Sequence, residues 1–260
     1  MAAYAEFELD LTKALLQYLP PVLEEIQPAQ LTGAELDTLP ENVQGVYMLL
    51  FEGVPTYIGK TDAEHGFRSR LKRHSYSLSA RRNLDIASVT YRAVRIMVFT
   101  TVNVESTLIR HFHVAANPMA WQNSGFGSND PGHRREGQDP SIFDQRYPIN
   151  IDVPLPFVRP GTTSVRDLLV LLKNALPFDF RYQTDVPDGS RRPNKHTVGH
   201  LDQRNGAAVI ARPGMSLREI LVEAILPSLP SGWMATVFPG RVILYKEANH
   251  WPHAIERLTN

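Results

Sequence analysis

Glu105 is the residue whose position most demands a chemical explanation. It shares the spacing i, i+3, i+4, i+7 with Leu108, Ile109 and Phe112. A carboxylate therefore falls on the apolar stripe of a helix expected from Val104 to about Ala116, with Asn103 as its N-cap. An unpaired charge on such a stripe is costly, so this carboxylate needs a cation, a hydrogen-bonding partner or water. The plainer reading is a glutamate in a first helical turn, where the helix dipole favours it. Upstream, Arg68, Arg70, Lys72, Arg73, Arg81 and Arg82 form a basic stretch with no acid between them. Local charge, rather than the net charge of zero, is what a polyanion feels. The stretch reads as a nucleic-acid contact or, more plainly, as a solvated helix face. Within it Arg70 and His74 stand four residues apart, on one face of a helix expected over 67–79. His111 with His113 and His196 with His200 have spacings that invite zinc. Gly199, Pro193 and Asn194 oppose a helix under the second pair, and no glutamate accompanies either in a metalloprotease pattern.

These side chains need elements to hold them. Residues up to about Asn42 read as helical, with Leu11, Ala14, Leu15 and Tyr18 on one face before a break at Pro20 and Pro21. A β-rich run from Gly45 to Phe51, a Glu52-Gly53 turn and a second run from Val54 to Gly59 predict a hairpin. Pro55 cannot donate to a ladder and belongs at an edge or a non-bonded position. Segments 89–91 and 93–99 offer further strands. From Gln122 to Tyr147 the chain is polar and glycine-rich, and Pro154, Pro156 and Pro160 make a linker. Beyond it, Ser164-x-x-Asp167 opens a helix over 165–176, and a strand follows around 178–182. Ser216-x-x-Glu219 is a capping box for a helix over 217–225, and strands at 233–238 and 241–245 close a second hairpin. The expected partition is a helical extension over 1–42, a catalytic domain over 43–155 and a small α/β domain over 156–260.

Composition bounds the possibilities. Of 260 residues, 43% are hydrophobic, enough for packed cores. The lack of cysteine excludes disulfides, thiolate zinc sites and thiol nucleophiles. No run approaches the roughly 20 apolar residues of a membrane span. Glu6, Glu8 and Asp10 do not fit a signal peptide. A soluble cytoplasmic protein is expected.

Gly45-Val46-Tyr47, a nine-residue interval, and Tyr57-Ile58-Gly59 resemble the two strands that name the GIY-YIG nuclease superfamily. Arg70-Leu71-Lys72-Arg73-His74 is similar to its basic helix, and Glu105-x-x-Leu108-Ile109 to its metal-binding glutamate motif. The four elements occur in the family's order. The glycine-rich stretch 121–132 resembles the GIY-YIG type II restriction endonucleases in particular. The family's asparagine fits Asn117 by its distance from the glutamate, and Asn123 by the proline and aromatic that precede it. The C-terminal part resembles, in its helix–strand–helix–hairpin order, the short N-terminal domain of secretins and TonB-dependent receptors.

The resemblance implies an α/β (α+β) fold, a small central antiparallel sheet flanked by helices, with a second small α/β domain behind it. It implies hydrolysis of DNA phosphodiester bonds, sequence-specific as in type II restriction. A single Mg²⁺ (Mn²⁺ as substitute) would be held by Glu105, and Arg70 would present its planar fork to the scissile phosphate. Tyr47 would help deprotonate the water, directly or through His74, and Tyr57 would hold a phosphate oxygen or assist as a second phenol. Lys60 and Asn117 would support them. Arg68, Lys72, Arg73, Arg81, Arg82, Arg134 and Arg135 are the expected DNA contacts, with His133 beside the last two. Duplex DNA, a homodimer on palindromic sites and a protein partner for the C-terminal domain complete the expectation. The rival readings are a less specific nuclease and a DNA-binding module without chemistry.

Two expectations are sharp. A free phenol has a pKa of about 10, so a tyrosine base needs nearby positive charge, from Lys60 or His74, and activity should rise toward alkaline pH. For both tyrosines to share a face, the hairpin needs an odd-numbered loop, because a strict two-residue turn puts them on opposite faces.

Overall fold

The computed structural model describes residues 3, 10–62, 64–97, 104–113, 119–127, 136–185 and 198–260. They form two compact units, one of residues 1–79 and 84–126, the other of 80–83 and 127–260. The expected catalytic segment 43–155 is thus shared between the units: Ile149, Ile151 and Leu155 belong to the core of the second.

The first unit is built on an antiparallel sheet of order β1-β4-β2-β3, with β1 at Ala29–Gln30, β2 at Gly45–Phe51, β3 at Val54–Thr61 and β4 at Val89–Arg95. Alternation sorts its side chains. Val46, Met48, Leu50 and Ile58 join Leu19 and Leu23 of α1 (Leu11–Glu25) and Val104, Leu108 and Phe112 of α4 (Val104–Phe112) in one core. Tyr47 and Tyr57 project to the other face, where α3 (Gly66–Ser79) lies, with Phe67, Leu71, His74 and Leu78 buried along it. α2 (Gly33–Asp37) precedes the hairpin. Pro55 sits, as its chemistry requires, on the edge strand.

The first 42 residues depart from the helical reading. α1 runs through Pro20 and Pro21 to Glu25. Its buried line is Leu19 and Leu23 with Leu15 partly buried, while Leu11 and Tyr18 are exposed. The prolines remove the donors that the carbonyls of Leu16 and Gln17 would use, yet burial of Leu19, Pro20 and Leu23 holds the helix together. After it, Ala29 and Gln30 pair with Tyr91 and Thr90 as the sheet's outer strand.

The second unit holds a sheet of order β10-β8-β9-β6, comprising Glu256–Thr259, Trp233–Val237, Arg241–Lys246 and Asp179–Tyr182, with β6 parallel to β9. A two-stranded ribbon pairs β5 (Gly161–Ser164) with β7 (Ala207–Ile210). Helix α5 spans Ile142–Arg146, α6 Val165–Ala175 and α7 Leu201–Asn205. α8 starts at Leu217–Glu219 with both bonds of its capping box made, widens into a π turn over Ile220–Ile225 and tightens at Leu226–Ser228. Helices α6 and α8 and the hairpin of this unit lie where the sequence predicts them; α5 falls in the stretch read as a polar loop, and β5, α7, β7 and β10 are too short to carry a periodic signal. Glu136, buried, pairs with Arg181 at 3.5 Å and accepts a hydrogen bond from Tyr245.

Candidate active site

The hairpin solves its parity problem in an unforeseen way. Its turn is the strict two-residue Glu52-Gly53, both at positive φ (52° and 79°), closing a Phe51–Val54 pair. Such a turn matches the twist of the flanking strands. Left alone, it would place the two tyrosines on opposite faces. The register then shifts between Leu49 and Leu50: Leu50 faces Pro55, but Leu49 faces Tyr57 and Tyr47 faces Gly59. Thr56 is the extra residue, a β-bulge. Its hydroxyl donates to the Leu49 carbonyl at 3.2 Å. Tyr57 is thereby returned to the face of Tyr47, diagonal to it, with ring centroids 6.2 Å apart. The expected odd loop is corrected to an even turn plus a bulge.

Gly59 answers Tyr47 across the ladder. A Cβ there would lie 2.3 Å from the phenol oxygen and 2.4 Å from Cζ, so the ring occupies space only a glycine leaves. At Gly45, a Cβ would fall 2.1 Å from the Val94 carbonyl oxygen and 2.5 Å from Cζ of Phe67. The glycines of both signature triplets are thus packing requirements.

Tyr47 Oη and His74 Nε2 share a buried hydrogen bond of 2.8 Å. Burial pushes the Tyr47 phenol well above its ordinary range, with the neighbouring Tyr57 adding to the rise and the Arg70 guanidinium opposing it. Burial, then the charges of Arg70 and Arg73, lower His74 to about 3. The imidazole is therefore neutral near pH 7. Tyr57 is raised by burial, and Arg70 again counteracts. Glu105 acts on both phenols by its charge, and its side chain retains 24% exposure. Lys60 Nζ lies 3.6 Å from Glu105. Five of the expected residues, Tyr47, Tyr57, Arg70, His74 and Glu105, thus act on one another, with Lys60 at the rim.

The cation expected to lower the Tyr47 pKa does not do so: His74 is uncharged and Lys60 faces Glu105. A stability consequence follows. His74 is held near 3 when folded and titrates near 6.5 when unfolded, so the unfolded chain binds more protons between these values. Its contribution is present above pH 6.5 and is lost as pH falls through that window. We expect acidification from pH 7 to 5 to cost about 2 kcal/mol through this group. Urea unfolding of the wild type and His74→Gln at both pH values measures it, the variant losing less.

The other expected bases divide. Arg68 pairs with Glu41 and donates to the carbonyls of Asp37 and Leu39, and Lys72 pairs with Asp37 at 2.5 Å. Arg81 binds Asp144 at 2.6 Å and lies over the Phe143 ring, while Arg82 binds Asp152 at 2.8 Å. Arg73 is exposed on α3. Asn103, Asn117, His133, Arg134, Arg135 and His196 lie outside the described residues. Asn123 is exposed at φ 57°, a left-handed turn position. His200 caps α7, accepting from the Asp202 amide.

Sequence reasoning singled out the stretch 121–132 but gave Trp121, Gln122 and Phe126 no place in the site. Trp121 N–H donates to the Thr56 carbonyl, and the Gln122 side chain accepts from Ile58 N–H, so the segment covers the outer edge of β3. Phe126 stacks on His74 at 4.9 Å and meets Tyr57 edge-on at 5.0 Å. The available signal was two large aromatics inside an otherwise polar, glycine-rich run.

As to a metal, no group of three or more His, Asp or Glu side chains that could hold an ion exists among the described residues. A closed protein cage is therefore absent from them. One partly exposed carboxylate suits a hard, largely hydrated divalent ion that also takes phosphate oxygens.

Residues 52–150 match the family model described as the Eco29kI GIY-YIG domain. The match covers less than half of the chain and indicates a nuclease at the level of the family. It contains Tyr57, Arg70, His74 and Glu105 and begins after Tyr47. No curated protein matches the chain. The resemblance of the C-terminal part to the secretin and TonB-receptor domain finds no support, and no helix of the described residues is long and apolar enough to cross a membrane.

Proposed function

We propose that this protein is a Mg²⁺-dependent, sequence-specific DNA endonuclease of the type II restriction class, acting as a homodimer in the cytoplasm. The observation that carries the catalytic reading is the 2.8 Å hydrogen bond between Tyr47 and a neutral His74, beside Tyr57, Arg70 and Glu105. Mn²⁺ is expected to substitute for Mg²⁺.

In this reading Arg70 presents its guanidinium to the scissile phosphate, and Tyr57 donates to a phosphate oxygen. A water aligned with the phosphorus gives its proton to Tyr47 Oη as the Tyr47 hydroxyl proton passes to His74 Nε2. Hydroxide adds to phosphorus and the bond to the 3′-oxygen breaks. Glu105 would hold the divalent cation, which would supply charge stabilisation for that leaving oxygen. A basicity as low as that of His74 opposes the transfer, but its second cause is removable. A phosphate paired with Arg70 and approached by Arg73 cancels their repulsion of the imidazolium, so DNA binding itself raises the basicity of His74. Arg73 and the segment 133–135 are the proposed further DNA contacts, with Asn117 and Lys60 in support. The C-terminal unit is proposed to bind a protein partner.

The pH dependence follows from the protonation states. In the free protein His74 becomes charged only toward about pH 3, and burial keeps Tyr47 protonated through pH 9. The profile of kcat/KM, which reports the free enzyme, should be flat from about pH 7 to 9. A tenfold rise per pH unit would instead require a preformed phenolate and would defeat the relay. This replaces the alkaline rise expected from the sequence.

The function itself is tested by incubating the protein with a long plasmid in Mg²⁺, with an EDTA control. Discrete, EDTA-sensitive fragments are expected. A metal-dependent smear would move the reading to a less specific nuclease, and intact DNA with binding retained would leave only a binding module.

A further inference from the structure

We propose that Phe126 is a positioning residue of the nuclease, holding the His74 imidazole in the plane that directs Nε2 at the Tyr47 hydroxyl. The inference rests on the Tyr47–His74 reading above and adds to it a residue that no motif assigns.

The need for such a residue comes from the imidazole. Rotation about the bond that joins a histidine ring to its Cβ is soft, so helix α3 fixes where His74 sits better than which way its ring faces. A hydrogen bond through Nε2 is directional and tolerates little ring rotation. Among the described residues, three rings surround the imidazole. Tyr47 and Tyr57 each have centroids 5.7 Å away at steep interplanar angles, 51° and 65°. Phe126 alone of these lies nearly parallel, 29° at 4.9 Å. A near-parallel neighbour at that distance sets the plane of the imidazole and keeps water from its face.

Phe126 is itself held. Its ring packs on Trp121 at 5.2 Å, and Trp121 packs on Phe51 at 5.5 Å. The Trp121 amide donates to the carbonyl of the bulged Thr56, and Gln122 accepts from the next free amide of β3, that of Ile58. Gly125, at φ 99°, and Asn123, at φ 57°, supply the left-handed turns that bring Phe126 inward. The bulge that aligns the tyrosines therefore also anchors the segment that aligns the histidine.

The groups of charge or titration facing the imidazole are the Tyr47 and Tyr57 phenols from β2 and β3, and Arg70 and Arg73 from its own helix. Phe126 brings none. Replacing it with alanine removes ring and cover without altering local charge, so His74 should gain water and titrate nearer its ordinary range.

The test compares wild type, Phe126→Ala and Phe126→Tyr in two measurements. Single-turnover cleavage at saturating DNA is followed from pH 5.5 to 8.5, with DNA affinity measured in Ca²⁺. Imidazole ¹⁵N spectra of His74 are recorded over the same range in a Glu105→Gln background, which requires no cleavage. We expect Phe126→Ala to slow cleavage by about 10- to 100-fold, the scale of a small misplacement of a reacting group, with affinity unchanged. It should acquire an acid limb above pH 5.5 and a His74 titration in the same window. Phe126→Tyr, which keeps the ring, should restore both. A loss that follows only thermal stability, with wild-type His74 spectra and a flat profile, would overturn the proposal. So would wild-type cleavage by Phe126→Ala. If no protein cleaves DNA while the His74 spectra shift as expected, the nuclease reading fails and the placement of the imidazole by Phe126 stands.

Discussion

Glu105→Ala is expected to reduce cleavage by at least about 1,000-fold and to leave the fold intact, because the residue contributes charge rather than packing. Its neighbours Val104, Leu108 and Phe112 carry the burial of α4, whereas its own side chain keeps 24% exposure. Its ion pair to Lys60, which is 56% exposed, spans 3.6 Å. Pairs that open to solvent contribute little to stability. What the substitution removes is a carboxylate whose charge reaches both phenols of the site. Among the described residues no cluster of acids or histidines is available to take its place. Mn²⁺ binding followed by electron paramagnetic resonance should disappear in the variant while its melting temperature stays near that of the wild type. Cleavage within about fivefold of wild type would remove Glu105 from the metal site.

Gly59→Ala carries the second large effect, and it reaches the chemistry without removing a polar group. The added methyl would stand 2.3 Å from the Tyr47 oxygen, a distance at which something has to move. Tyr47 is fully buried, so the phenol has no free volume to enter. Overpacking of this kind costs about 1–3 kcal/mol, and a displaced hydroxyl about 100-fold in rate. Gly53→Ala is the matched control. It meets nothing within 4 Å, although its φ of +79° strains an alanine. It should lose stability on a comparable scale while cleaving normally. Equal losses of activity in both variants would show that stability, rather than the position of Tyr47, governs the rate.

The parts of this site that sequence made legible are those coded locally. The alternation of Gly45–Phe51, the four-residue step from Arg70 to His74 and the stripe through Glu105 each read from neighbours a few positions apart. What could not be read depends on partners far along the chain. Arg68 and Lys72 look like a free basic face until Glu41 and Asp37, 27 and 35 residues away, fold back on them. Arg81 and Arg82 find Asp144 and Asp152 at separations of 63 and 70. α1 passes through two prolines because the core rewards Leu19 and Leu23, a tertiary gain that outweighs local propensity. Trp121 and Phe126 resembled loop residues because the edge they cover and the imidazole they face come from two other elements.

The bulge at Thr56 has a bearing on how such a site can arise or be transplanted. Let Thr56 pair in the ladder instead of bulging and the hairpin becomes more regular, with unbroken pairing and an ideal turn, and every tyrosine, glycine and arginine of the signature still present. Yet Tyr57 would point into the apolar layer and Ile58 toward the histidine. A scaffold chosen for regularity, or a motif copied by residue identity alone, would discard the irregularity and keep the letters. What must be inherited together is the set of letters and the miscount between them.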